Sequence, residues 1–153
     1  MKFTNPKGTV FYKPKAREVI PRPTVYGITF DDGKVLLVYD KIHKVFSLPG
    51  GAVESSESLD EALNREFLEE TGIGVARFIK KIGQLENNFY EDKLDIFYKA
   101  SLHYFLVELD SFSGKIQSTE EIEYTKWVDI ETLEDIDTSP RNVLMIRRAT
   151  KEL

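Results

Sequence analysis

Between Gly50 and Ile73 the chain reads GGAVESSESLDEALNREFLEETGI, and its densest part is Arg65-Glu66-Phe67-Leu68-Glu69-Glu70. On a helix of 3.6 residues per turn, neighbours lie three and four positions apart, so Glu66, Glu69 and Glu70 fall within an arc of roughly 100°. Like charges at that spacing repel by a few tenths of a kcal/mol per pair, and the negative end of the helix dipole adds to the cost. A helix built for stability alone would carry Lys or Arg there. Oxygen donors without His or Cys suit Mg²⁺, Mn²⁺ or Ca²⁺ better than Zn²⁺. Because Mg²⁺ commonly bridges one or two carboxylates to substrate phosphates, the chemistry implied is that of phosphate groups. A solvated acidic face is the alternative reading of such a run, and the flanking residues weigh against it.

Those flanks build loop, helix and stop around the acids. Leu48-Pro49-Gly50-Gly51 forms a turn in which Gly permits positive φ or close backbone approach, so the Gly50 carbonyl could face the carboxylates as a further oxygen ligand. Ser58 and Glu61 make an S-x-x-E capping box, which starts the helix near Leu59. Leu59, Ala62, Leu63 and Phe67 supply its apolar stripe. Gly72 suits the left-handed position just past the end.

Gly51, five residues, Glu57, seven residues, then Arg65-Glu66-Phe67-x-Glu69-Glu70-x-Gly72-Ile73 resembles the Nudix box of the Nudix hydrolase family, MutT-like proteins included. At average residue frequencies such a match arises about once in 10⁸ starting positions. Phe67 departs from the pattern, standing where the family usually has Ile, Leu or Val. The resemblance implies an α/β fold, the Nudix α-β-α sandwich with a central mixed β-sheet. It implies a metal-dependent pyrophosphohydrolase acting on a nucleoside diphosphate linked to a further group X, a nucleoside triphosphate being the most economical substrate. Glu66, Glu69, Glu70 and the Gly50 carbonyl would hold Mg²⁺, with Mn²⁺ able to substitute. Glu69, Glu57 or Glu121 would serve as general base; Glu121, with Glu120 as second choice, stands where the family often carries a glutamate before a Trp like Trp127. Arg65 is expected to orient a glutamate through a charge-assisted pair rather than touch substrate. A dinucleoside polyphosphate or nucleotide sugar remains an alternative substrate, and a nucleotide-sensing module without turnover an alternative function, although no box glutamate is missing.

One hundred and fifty-three residues, 41% hydrophobic and 31% charged, imply one soluble domain covering 1–153. The absence of cysteine excludes disulfides and thiol chemistry, and neither a signal-peptide pattern nor an apolar run near 18 residues is present, so a cytoplasmic protein is expected. The net charge of −5 is uneven: residues 1–22 carry Lys2, Lys7, Lys13, Lys15, Arg17 and Arg22 against Glu18 alone. This basic arm reads as a solvated terminal segment, and the acidic body argues against stable nucleic-acid binding. The expected partner is a small diphosphate-containing molecule, and the protein a monomer or homodimer.

Along the rest of the chain, Pro21 and Pro23 punctuate the entry to a strand at 24–30, and Asp31-Asp32-Gly33-Lys34 turns into Val35-Leu36-Leu37-Val38. His43 lies in a surface turn. A strand is expected over 75–86, a loop over 87–92 and a long buried central strand over 94–109 with His103 as a hydrogen-bonded core histidine. Phe89 and Tyr90, on that loop, could stack on a base or pin the loop to the core. A strand at 124–130 places Trp127 in the core. Ser139-Pro140 caps a final helix whose face of Val143, Leu144 and Ile146 packs on the sheet opposite the acidic helix.

Overall fold

The computed structural model describes residues 1–5, 7–110 and 122–153. Glu120 and Glu121 lie outside the described residues. The elements run β1 (Lys2–Thr4), β2 (Val10–Tyr12), β3 (Val19–Ile28), β4 (Phe30–Asp31), β5 (Lys34–Asp40), β6 (Val45–Ser47), β7 (Gly50–Ala52), α1 (Leu59–Thr71), β8 (Val75–Glu91), β9 (Ile96–Leu109) and β10 (Ile122–Asp129). A 3₁₀ turn over Ile130–Asp135 and α2 (Pro140–Thr150) complete the chain. Six strands form a mixed sheet in the order β2-β1-β8-β9-β3-β7, and β10-β5-β4 form a second, with β6 against β5.

Alternation along the strands divides the core in two. Val25 and Val107 point to one face and bury Ala62, Leu63 and Phe67 of α1. Ile28, Leu102, Tyr104 and Leu106 point to the other and meet Met145, Ile146 and Ala149 of α2. Both helices are thus held by residues of opposite parity on the same strands. The result is the expected helix, sheet, helix layering.

Local chemistry sets the ends of α1. Ser58 Oγ accepts from the Glu61 amide at 3.1 Å while Glu61 returns the bond to the Ser58 amide, and Gly72 closes the helix at φ 75°. Phe67, unusual in its box position, is fully buried, and a Cβ on Gly27 would lie 2.3 Å from its ring. The missing side chain on β3 makes room for the larger one on α1. Gly27→Ala should therefore destabilise the protein by about 2–3 kcal/mol, an overpacking cost, and Phe67→Leu in the same background should recover much of it; thermal denaturation checks both.

Several expectations are corrected. The basic segment is not a solvated arm: β1 and β2 form an antiparallel hairpin, and Thr4 pairs in parallel with Phe89 of β8. Pro21 and Pro23 lie within β3 rather than before it. The Pro23 carbonyl accepts from the Val53 amide at 2.9 Å, so Pro23 points its nitrogen away from β9, where the parallel ladder needs no donor from it. The segment at 87–91 is strand, because Asn87, Asn88, Phe89, Tyr90 and Glu91 pair in register with Ala100 back to Ile96; the turn falls at 92–95. His103 is half-buried, with Nδ1 3.1 Å from Lys81 Nζ, and Trp127 is 38% exposed, so neither is a core residue. No described helix is long and apolar enough to cross a membrane.

Candidate active site

The acidic face of α1 meets the sheet edge at β7. Gly50 adopts φ 148°, and a Cβ there would stand 2.0 Å from the Val25 carbonyl oxygen, so only glycine fits. Its amide donates to Glu70 Oε1 at 3.1 Å. At Gly51 an added Cβ would lie 2.7 Å from Glu66 Oε1, so the second glycine leaves the space that the Glu66 carboxylate fills. The two glycines thus bring backbone against the two most buried box carboxylates. Glu70 is 6% exposed, and Glu66 lies within hydrogen-bonding reach of it.

Arg65 runs beneath the acids as a fork. Nε donates to Glu57 Oε2 at 2.7 Å, Nη2 to Glu57 Oε1 at 2.9 Å and to the Ala52 carbonyl at 3.1 Å, and Nη1 to Glu66 Oε1 at 3.1 Å. Glu69 Oε2 lies farther off at 3.4 Å, its side chain half in solvent. Of the glutamates around it, Arg65 pairs chiefly with Glu57, then Glu66, with Glu69 more distant. A bidentate guanidinium–carboxylate pair is the strongest charge-assisted contact a side chain makes. It holds the Glu57 carboxyl below the usual glutamate range and raises Arg65 further above the range in which it could lose its proton.

Burial pushes the Glu66 carboxyl up, against the pull of its hydrogen bonds to Glu70 and Arg65. One guanidinium thus serves Glu57, Glu66 and Glu69, with Glu54 at 3.8 Å, and Glu70 stands beside Glu66. As the side chains stand, no three acidic groups among the described residues converge on one point as a finished cage. The donor chemistry nevertheless fits a hard divalent cation. Every ligand atom on offer is oxygen, two carboxylates are driven together with a net negative charge, and the glycines keep carbon away from them.

Three residues beside this edge carry no local sequence signal strong enough to have been singled out. Tyr26 of β3 abuts Gly50 and stacks on Tyr104 of β9 with ring centroids 5.4 Å apart. Arg141 lies near enough to act on the Tyr104 hydroxyl, and Arg22, Arg141 and Glu70 near enough to act on that of Tyr26. Burial raises both phenols, Tyr104 up to about 12. Arg141 stands in the first turn of α2, where the helix dipole disfavours a cation, and that mismatch is the one signal that could have found it.

Phe89 and Tyr90, adjacent in sequence, face opposite sides of the sheet. Phe89 lies beside Tyr98 on the face that carries Tyr26, with ring centroids 6.4 Å apart. Tyr90 packs between Phe11 and Phe97 on the other face and donates its hydroxyl to Asp95 Oδ1 at 2.8 Å.

Comparison with known proteins bears on this arrangement. Over 65 residues the chain is 40% identical to a Bacillus subtilis protein named putative 8-oxo-dGTP diphosphatase, covering 42% of this chain and 43% of that one. Over 56 residues it is 45% identical to a Methanocaldococcus jannaschii ADP-ribose pyrophosphatase, covering 35% and 33%. It thus spans less than half the length of these curated relatives. The solution structure of the E. coli ORF135 protein superposes with a TM-score of 0.68 at 22% identity, covering 87% of this chain and 91% of that one, a likeness of fold. The family model described as NUDIX domain matches residues 20–149, which takes in the glycine edge, the whole of α1 and both strands that carry the stacked tyrosines, so the chain belongs to the NUDIX domain family.

Proposed function

We propose that the protein is a Mg²⁺-dependent pyrophosphohydrolase that cleaves the diphosphate linkage of a nucleoside diphosphate derivative, a nucleoside triphosphate being the simplest such substrate. The observation that carries this reading is the apposition of Glu66 and Glu70 against Gly50 and Gly51, beside Glu57 and Glu69 on the Arg65 guanidinium. Glu66, Glu69, Glu70 and the Gly50 carbonyl would hold the ion. When bound, it supplies neutralisation of the diphosphate charge and a more acidic water.

The chain's own residues do the rest. Glu69, partly solvated and only loosely paired with Arg65, is free to take the proton as a water oxygen attacks phosphorus and the bridging P–O bond breaks. Glu57 is the weaker candidate for base, since both its oxygens are engaged by Arg65. Glu121 stays a candidate from the resemblance alone. Arg65 positions Glu66 and Glu57 without reaching substrate. Arg22 and Arg141, flanking Tyr26, offer the cations that would meet phosphate oxygens on the sheet side of the acids. The shares of chain matched to a diphosphatase and an ADP-ribose pyrophosphatase support the class of reaction and leave X open.

The experiment is hydrolysis of nucleoside triphosphates, ADP-ribose, nucleotide sugars and dinucleoside polyphosphates, with released phosphate and pyrophosphate measured. Turnover of at least one class is expected in Mg²⁺ or Mn²⁺ and should vanish in EDTA. Activity persisting in chelator would sink the metal reading; tight binding without any hydrolysis would favour a sensor.

A further inference from the structure

The hairpin of β1 and β2 stands outside the residues matched to the family and widens the sheet on the face that carries Tyr26. Pairing registers place its residues in two rows. Val10, Thr4, Phe89, Tyr98 and Ile20 lie side by side across five strands, and one row nearer Gly50 come Tyr12, Lys2, Ala100 and Arg22. Tyr12 is 69% exposed, Val10 48% and Ile20 41%, while Phe89, Tyr98 and Arg22 are half-buried. Arg22 lies with its guanidinium 4.9 Å from the centre of the Tyr98 ring. Among the described residues neither Arg22 nor Lys2 has a carboxylate partner.

An open, aromatic sheet face carrying two unbalanced cations is costly to leave bare, and here it is also stiffened from behind. On the reverse side Phe3 is fully buried against Phe97, Phe11 packs on Tyr90, and Arg17 bridges to Asp95 while covering Phe97. The hairpin is therefore a fixed part of the sheet, not a loose tail. Gly50 pairs with Tyr26, so the Arg22 row lies four residues along β3, about 13 Å from the acidic edge, and the Tyr98 row about 20 Å away. That span exceeds a diphosphate and its own nucleoside, and Arg22 stands along it beside both Tyr26 and Tyr98.

We infer that this face is a second stacking subsite, which takes a distal aromatic base joined through a polyphosphate to the nucleoside at the acidic edge. Lys2 and Arg22 meet the phosphates of the bridge, and Tyr12, Phe89 and Tyr98 form the surface on which the far ring lies. The inference rests on the proposed function for where the phosphates sit, and it narrows X to a group bearing a second base. Base stacking on an aromatic side chain is worth about tenfold or more in affinity and tolerates any base.

The test is binding in Mg²⁺ to Glu69→Gln, a variant that turns substrate over slowly, with diadenosine tetraphosphate and ATP as probes. Diadenosine tetraphosphate should bind at least about tenfold more tightly. Adding Tyr12→Ser and Phe89→Ser should bring the two affinities within about twofold. Amide shifts of Lys2, Thr4 and Tyr12 in ¹⁵N-labelled protein should respond to the two-base probe and not to ATP; they report the subsite even if the double substitution loosens the hairpin. Equal affinities in the parent, or a preference that survives the double substitution with no hairpin shifts, would overturn the inference. So would binding of neither probe. If the wild-type chain hydrolyses nothing while the two-base preference holds, the proposed function falls and the subsite stands.

Discussion

Glu70→Gln and Glu69→Gln should each lower turnover in Mg²⁺ by at least about a hundredfold, some 2.7 kcal/mol of transition-state stabilisation. The two variants lose a charge in different settings, which makes the comparison informative. Glu70 is 6% exposed and accepts the Gly50 amide; a glutamine oxygen can accept the same bond, so the turn keeps its shape while one anionic ligand is gone. Glu69 is half in solvent and, among the described residues, its ion pair is the loose one with Arg65, so its replacement should disturb little packing. Glu54 supplies a control on the same face, 69% exposed at its side chain and 3.8 Å from Arg65, and Glu54→Gln should stay within about twofold of wild type. Steady-state kinetics with melting temperatures for all three separates lost chemistry from lost structure. Unchanged turnover in both box variants would remove the metal site.

The box was legible because its logic is local. A capping box, a left-handed glycine and an i, i+3, i+4 acid face are each decided within one or two turns of chain, and α1 runs from Leu59 to Thr71 as they require. The same holds for the Asp32-Gly33 turn, where both residues take positive φ between β4 and β5. What could not be read depends on distant partners. Nothing in Lys2-Phe3-Thr4 says that its mate is Phe89, so a basic, proline-rich segment looked like a tail. Asn87 and Asn88 looked like loop because polarity is a correlate of loops, whereas two strands long enough to outrun the helices can pair with polar residues on open faces. Within the site, sequence left open which glutamate Arg65 meets, and the geometry favours Glu57, which approaches from the loop before the helix. Tyr26 and Tyr104 meet only because β3 and β9 are parallel neighbours, a fact of topology.

Arg65→Ala should cost about 2–3 kcal/mol, roughly 5–10 °C in melting temperature for a chain of this size, and Arg65→Lys should recover only part of it. Removing the guanidinium leaves Glu57, Glu66 and the Ala52 carbonyl without their donor, in a site where those carboxylates are less than a fifth exposed. The cost falls below that of breaking a fully buried pair because Arg65 itself keeps about a quarter of its surface in water. Lysine restores charge but has a single nitrogen, which cannot reach both Glu57 oxygens, Glu66 and a backbone carbonyl together. The loss has a definite pH signature. Arg65 depresses the Glu57 carboxyl, so the stability it lends is complete above the ordinary value of 4.5 and is lost as the pH falls through the lowered folded value. The gap in melting temperature between wild type and Arg65→Ala should therefore be widest near neutrality and narrow below pH 4.5, when Glu57 takes up its proton in both proteins. A gap that stays constant across that window would mean that Arg65 acts through packing of its stem. If Arg65→Lys instead matched wild type throughout, charge alone would suffice and the fork would have no role in aiming the acids.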